Sequence, residues 1–163
     1  SGVDGSESAI VTARKRFADD GLSADLRVAD FIDLPFPDQY FDLAIDRGAL
    51  TCSGYGHARK AVLELHRVLR PGGKFLFNPY SDRHSSAVSG RAGPDGLRVG
   101  ITSGSLVGAG QICFYGREAV EGTFGPGWST QSLQHCEWVE LGQLPTLTHA
   151  EWRVIAQRDH GSL

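Results

Sequence analysis

The chain contains no methionine. A complete reading frame opens with one, so the sequence is expected either to have lost an initiator ahead of Ser1 or to begin inside a larger fold. No stretch approaches the run of about 18 apolar residues that a membrane-crossing helix requires. The first residues lack the basic-then-apolar pattern of a signal peptide, and no membrane partner is expected. Cysteine is scarce: Cys52, Cys113 and Cys136 are widely spaced and odd in number, which makes no disulfide framework. None of the six histidines enters an H-x-x-x-H or H-E-x-x-H pattern, and adjacent His135 and Cys136 have poor ligand spacing. No metal site is expected, and the thiols suit a reducing cytoplasm. A basic excess is missing too. Sixteen Lys and Arg against 19 Asp and Glu leave a net charge of −3, which argues against nucleic acid as the main partner.

What is present is 163 residues, 40% hydrophobic and 21% charged. That is enough for one packed domain, residues 1–163. Ser1 to Asp4 reads as the end of a strand. Ser6 is a good N-cap for a helix over Glu7–Asp19, with Ala9, Ile10, Ala13 and Phe17 on one face and Gly21 as its stop. Leu26–Ala29 is a short strand ending at Asp30. Two prolines mark residues 33–38 as a turn or irregular loop. Phe41–Ile45 is almost wholly apolar and fits a strand buried on both faces of a parallel sheet; it ends at Asp46.

The clearest helical stripe runs from His57 to Leu69 through Ala58, Ala61, Val62, Leu65 and Val68. Arg67 and Arg70 suit the negative end of its dipole. Pro71-Gly72-Gly73 is expected to break the helix and turn the chain into a strand over Lys74–Asn78. Residues 80–110 are rich in Ser and Gly and read as a long loop, functional or mobile, with one short element at most. A short helix follows over Gly116–Phe124. Ser129–Leu141 and His149–Arg158 read as an antiparallel pair around a Gly142–Thr148 turn.

Alternating strands and helices imply an α/β fold with a mostly parallel sheet and helices on both faces. Ligands of such sheets sit at the carboxyl ends of the strands. Asp4, Asp30 and Asp46 each end a strand. A carboxylate offers two acceptors to the adjacent hydroxyls of a ribose, and one at the next strand end can accept an adenine amino group with Phe31 against the ring. Each acid alone is equally an ordinary cap or turn residue. Three on one sheet edge favour a nucleoside site.

These residues also carry a family resemblance. Gly2-Val3-Asp4-Gly5-Ser6 with the following helix, Asp30 with Leu34-Pro35-Phe36 and Tyr40-Phe41-Asp42-Leu43, and Glu64 through Gly73 resemble, in order, segments of class I S-adenosylmethionine-dependent methyltransferases. Phe114 to Phe124, Trp128, and Ala150-Glu151-Trp152-Arg153-Val154 resemble the later elements. The resemblance implies a Rossmann-like sheet with an antiparallel C-terminal strand and S-adenosylmethionine as cofactor. It implies that Asp4 binds the ribose, Gly5 lies near the adenine, Asp30 accepts the adenine amino group beside Phe31, and Asp46 opens the segment passing the methionine part and the substrate. Asp46-Arg47-Gly48-Ala49-Leu50 also resembles thiol- and chalcogen-methylating members.

The chain departs from the family at its front. The family's first strand, glycine-rich loop and helix would need roughly 30 residues before Asp4, so the expectation is an N-terminally truncated domain lacking that strand. The glycine-rich stretch 104–110 lies after the fifth strand of the family order, where it reads as a flexible loop near the active site. The expected activity is methyl transfer to a small-molecule acceptor. Asp46, His57, Tyr80, His84 and Tyr115 are candidate bases, with no catalytic residue assigned. The alternatives are a nicotinamide-dependent Rossmann oxidoreductase and a non-catalytic remnant serving as an interaction module. Oligomeric state is not indicated.

Overall fold

The structure is a computed structural model that describes residues 1–142 and 144–161. Strand β1 (Gly2–Asp4) pairs in parallel with β2 (Leu26–Val28), and helix α1 (Glu7–Asp19) connects them. Ser6 caps α1, its Oγ accepting from Ala9 N at 3.3 Å. The expected stripe holds: Ile10 is buried, with Ala9, Ala13 and Phe17 half-buried beside it.

A second sheet has the order β3-β4-β9-β8, formed by Phe41–Asp46, Leu69–Phe77, Leu147–Arg158 and Trp128–Glu140. β3 and β4 run parallel, while β9 is antiparallel to both of its neighbours. Of the expected hairpin turn Gly142–Thr148, Gln143 lies outside the described residues. Helix α2 (Tyr55–Val68) and the short α3 (Arg117–Glu121) pack on the Phe75/Phe77 face. Ala58, Ala61 and Val62 from α2 and Val120 from α3 complete that core.

Two expectations are corrected here. β3 is not buried on both faces, because Leu43 and Ile45 stay exposed opposite the α2-covered side. Pro71-Gly72-Gly73 does not precede the next strand but lies inside it. Phe41 is paired with Leu69 and Leu43 with Lys74, so Arg70–Gly73 bulge out opposite Asp42 alone. Gly72 takes the left-handed φ of +81° that this excursion needs.

Residues 34–38 join the β1–β2 unit to α2. Leu34 and Phe36 are buried against Val68, with Val3, Phe41 and Leu65 around them. The Arg67 guanidinium donates to the carbonyls of Leu34 and Phe36, at 2.9 and 2.8 Å.

The expected long loop is a small antiparallel sheet instead: β5 (Arg91–Ala92), β6 (Leu97–Val99) and β7 (Gln111–Cys113), preceded by a 3₁₀ turn at Ser85–Val88. It has its own core of Ile101, Ile112 and Phe114. Its glycines serve tight turns. Gly96, at φ +77°, lies so close to Tyr55 that an added Cβ would fall 2.1 Å from the ring. The sheet is latched to α2 by Asp95, whose Oδ2 accepts from Gly56 N at 2.7 Å and whose carbonyl accepts from Tyr55 N at 3.1 Å. Helix α2 begins at Gly54, which has no side chain to cap it, so a residue about 40 positions away does so.

Candidate functional site

A cleft of about 330 Å³ opens between the two sheets. Its rim is set by the carboxyl ends of β1 and β3 (Asp4, Gly5, Asp46), and its apolar wall by Phe31, Leu34, Leu50, Ala61 and Leu65. A shallower depression continues from it along Gly5, Ala29, Asp30, Phe31 and His57. The structure thus brings Asp4, Gly5, Asp30, Phe31 and Asp46 to one connected surface. Of the wall residues, Phe31 was expected at the site, while Leu34, Leu50, Ala61 and Leu65 were not assigned to it because they come from three separate segments. Among these, Leu34 carried a local signal, within Leu34-Pro35-Phe36.

Each acid is partly committed to its own turn. Asp4 Oδ1 accepts from Ser6 N at 2.7 Å, and Asp30 Oδ1 accepts from Ile32 N at 3.1 Å. Both are exposed, and each keeps acceptor capacity on its second oxygen. Asp46 is different. It is 8% exposed, and its carboxylate closes the following turn by accepting from Ala49 N at 3.0 Å, Leu50 N at 3.2 Å and Gly48 N at 3.3 Å. Burial pushes its carboxyl above the ordinary range, and the three N–H donors oppose that. This is the turn role that the sequence allowed for each of the three acids.

The other candidate bases separate clearly. His57 lies on the depression beside Asp30. Tyr115 is fully buried, wedged edge-on between Tyr55 and Phe77, and burial drives its phenol far up. It packs and meets no solvent. His84 is 1% exposed, and its Nδ1 accepts from Ser86 N at 3.0 Å. Burial holds it down to about 4, so it is a neutral structural imidazole at physiological pH. Tyr80 is half-buried, with its phenol raised by burial and by neighbouring Cys52 and Glu151. No group of three or more potential metal ligands occurs among the described residues. The three cysteines are free, and Cys52 is exposed.

Comparison with known proteins bears on this cleft directly. Residues 1–77 match the family described as methyltransferase domain. They carry β1, β2, β3 and the whole cleft. Over these residues the chain is similar to methyltransferase domains. Over 79 residues the chain is 41% identical to the ubiquinone/menaquinone biosynthesis C-methyltransferase UbiE of Bordetella avium, a match covering 48% of this chain and 30% of that protein. The chain thus spans about a third of the length of the curated relative.

The fold extends the likeness beyond residue 77. A S-adenosylmethionine-dependent methyltransferase of Methanosarcina mazei superposes with a TM-score of 0.76, at 17% identity, over 98% of this chain and 81% of that one. A protein solved in work on the conversion of a disulfide bond into a thioacetal group during echinomycin biosynthesis gives 0.71, at 24% identity, over 98% and 67%. At such identities the class I methyltransferase fold is what is shared. The antiparallel C-terminal strand expected from the family is β9, lying between β4 and β8.

Proposed function

We propose that this chain belongs to an enzyme that transfers a methyl group from S-adenosylmethionine to a small-molecule acceptor. The carrying observation is the convergence of Asp4, Gly5, Asp30, Phe31 and Asp46 on one connected surface at the strand ends. The donor set fits the cofactor's chemistry. Asp4 keeps a free carboxylate oxygen for the ribose hydroxyls, and Asp30 has one for the adenine amino group. Phe31 and Leu34 supply an apolar wall for the ring. Gly5 leaves room at the rim, since an added Cβ there would meet no atom within 4 Å.

The bound cofactor supplies an already electrophilic methyl group on its sulfonium. The protein's task is then alignment and exclusion of water. Asp46 contributes by fixing the Gly48–Leu50 turn through three N–H bonds. That turn sets the cleft wall through Ala49 and Leu50. The three-stranded Arg91–Cys113 sheet is fastened to the start of α2 through Asp95 and to the segment before it through Gln111, whose Nε2 donates to Cys52 O at 2.7 Å. Free thiols, one of them exposed, suit work in a reducing cytoplasm.

Calorimetry with S-adenosylhomocysteine and with a nicotinamide dinucleotide tests the reading on the 163-residue chain. Binding of the first, weakened at least tenfold by Asp4→Ala, is expected. Binding of the dinucleotide alone means a redox Rossmann site. Binding of neither means that these residues do not form a working cofactor site by themselves, as a non-catalytic module would not.

A further inference from the structure

A second recess, of about 370 Å³, lies on the β3-β4-β9-β8 sheet. Leu76 and Ile155, paired across β4 and β9, form its floor. Strand alternation turns Leu76 away from the Phe75/Phe77 face that carries α2. Arg47 and Asn78 line the recess, and each directly follows a strand, Arg47 after β3 and Asn78 after β4. The recess thus opens at the carboxyl ends of two parallel strands, where ligands of such sheets sit. Asp46, the residue before Arg47, lines the cofactor cleft. The two spaces adjoin at the Asp46-Arg47 step.

The polar lining has donors to spare. Arg47 is exposed, and its guanidinium has no hydrogen-bond or ion-pair partner among the described residues. Arg153 donates from Nε to Glu151 Oε1 at 2.8 Å, and its guanidinium carbon lies 5.1 Å from the centre of the Trp138 ring. These contacts hold the guanidinium plane and leave both Nη groups without a partner among the described residues. Glu151 is the acid of the lining. It is already engaged, by Arg153 at Oε1 and by His149 Nε2, 3.4 Å from Oε2. Asp46 is engaged with its own Gly48–Leu50 turn. Two arginines against one glutamate leave one positive charge uncompensated in the recess. Gln134 on β8 adds an amide.

We infer that this recess binds the methyl acceptor, and that the acceptor is a small carboxylic acid with an apolar body. A guanidinium fork matches a planar oxyanion, so Arg47 and the Nη edge of Arg153 take the carboxylate. Leu76 and Ile155 take the apolar body. A neutral acceptor leaves Arg47 unanswered, and a cationic one meets two guanidinium groups. The acceptor role rests on the methyl-transfer reading. The affinity for a carboxylate rests on the recess alone.

The test is titration of the nitrogen-15-labelled 163-residue chain with sodium benzoate, followed by NMR at the arginine Nε–H signals, with benzamide as the neutral isostere. Saturable shifts at Arg47 and Arg153 are expected with benzoate and not with benzamide. Arg47→Gln should weaken benzoate binding roughly tenfold with an unaltered melting curve, because that side chain is exposed and has no partner. Benzoate should still bind when the chain is saturated with S-adenosylhomocysteine, since donor and acceptor have to be held together. Equal shifts with benzamide, or benzoate affinity that Arg47→Gln leaves intact, overturns the inference. So does displacement of benzoate by S-adenosylhomocysteine. Binding of S-adenosylhomocysteine with no response to benzoate removes the carboxylate site and leaves the methyl-transfer reading standing. A benzoate response in a chain that binds no S-adenosylhomocysteine removes that reading, and the acceptor role with it.

Discussion

Glu64 and Arg67, one turn apart on α2, meet as a fork. Arg67 Nη2 is 2.7 Å from Glu64 Oε2, and Nε is 3.0 Å from Oε1. The same guanidinium reaches Asp38 at 2.9 Å and the carbonyls of Leu34 and Phe36. Glu64 Oε2 accepts in addition from Leu34 N at 2.9 Å. The pair therefore holds the loop that places Leu34 in the cleft wall.

Replacing Arg67 with Met keeps much of the volume and removes every one of these bonds. Two carbonyls and a half-buried carboxylate then lose their donor. With the Arg67 side chain about a third exposed, the cost is discounted for solvent screening to about 2 kcal/mol. A urea titration should show that drop in midpoint at unchanged slope. Lysine should not rescue it, because one ammonium cannot serve a fork and two carbonyls at once.

The same pair gives a pH signature. Glu64 is held below its ordinary value first by the hydrogen bond from Arg67. The unfolded chain therefore binds more protons than the folded one near that range. The stabilisation is fully present above about pH 4.5 and is lost as pH falls through the folded-state value. Asp46 has the opposite sign, because burial raises it. Its ionised form is the less favoured one, and that penalty fades as pH drops. Urea midpoints measured from pH 7 to pH 3 should converge for wild type and Glu64→Gln. Relative to Asp46→Asn, wild type should recover stability over the same descent.

Much of this fold was legible in advance, and the boundary of legibility has a physical cause. α1, β1, β2 and the long β8–β9 pair follow local signals such as the Ser6 cap, the apolar runs and the turn residues, and they fall within a residue or two of expectation. Asp4, Asp30 and Asp46 could be read because each ends a strand that was itself readable. The Arg91–Cys113 sheet could not be: its strands are as short as β1 and β2 but lie in a Ser- and Gly-rich stretch, with no helix between them to mark where each begins and ends. Arg67 looked like a dipole partner because its carbonyl acceptors lie some 30 positions away. Nothing local to Phe41–Ile45 told that Leu43 and Ile45 would stay exposed, because exposure depends on what lies over the strand.

Asp95 offers a separate check on the latch between the small sheet and α2. It sits at φ +51°, where Asn is tolerated better than most residues, and caps Gly56 N. Asp95→Asn should keep the cap, while Asp95→Ala loses it at about 1 kcal/mol. Hydrogen exchange at the Gly56 amide should accelerate in the alanine variant and change little in the asparagine one. Gly96→Ala should be worse than either, because its Cβ would meet the Tyr55 ring.

Ser81, His135 and Glu137 imitate a hydrolase triad. Ser81 Oγ lies 2.7 Å from His135 Nε2, and His135 Nδ1 lies 3.4 Å from Glu137 Oε1. The serine is wholly buried, and Glu137 is also paired with Arg83 at 2.7 Å. A nucleophile needs access as well as a base, so this trio fastens the hairpin to the Pro79–Ser81 segment and does no acyl chemistry. A fluorophosphonate probe should leave the native chain unlabelled at Ser81. Labelling there would show that the segment opens.

Gly5 separates binding from folding most cleanly. It lies on both the cleft and its side depression, and an added Cβ would meet nothing within 4 Å. Its φ is not in the left-handed region that favours glycine. Gly5→Leu should therefore leave the melting temperature within about 2 °C, as a change of roughly 0.5 kcal/mol would. The new side chain would occupy the space assigned to the adenine edge, and affinity for S-adenosylhomocysteine should fall at least tenfold. A Gly5→Leu protein that melts normally and still binds with full affinity would move the nucleoside site away from the β1 end. Loss of both stability and binding would instead make Gly5 a folding requirement, contrary to the open space around it.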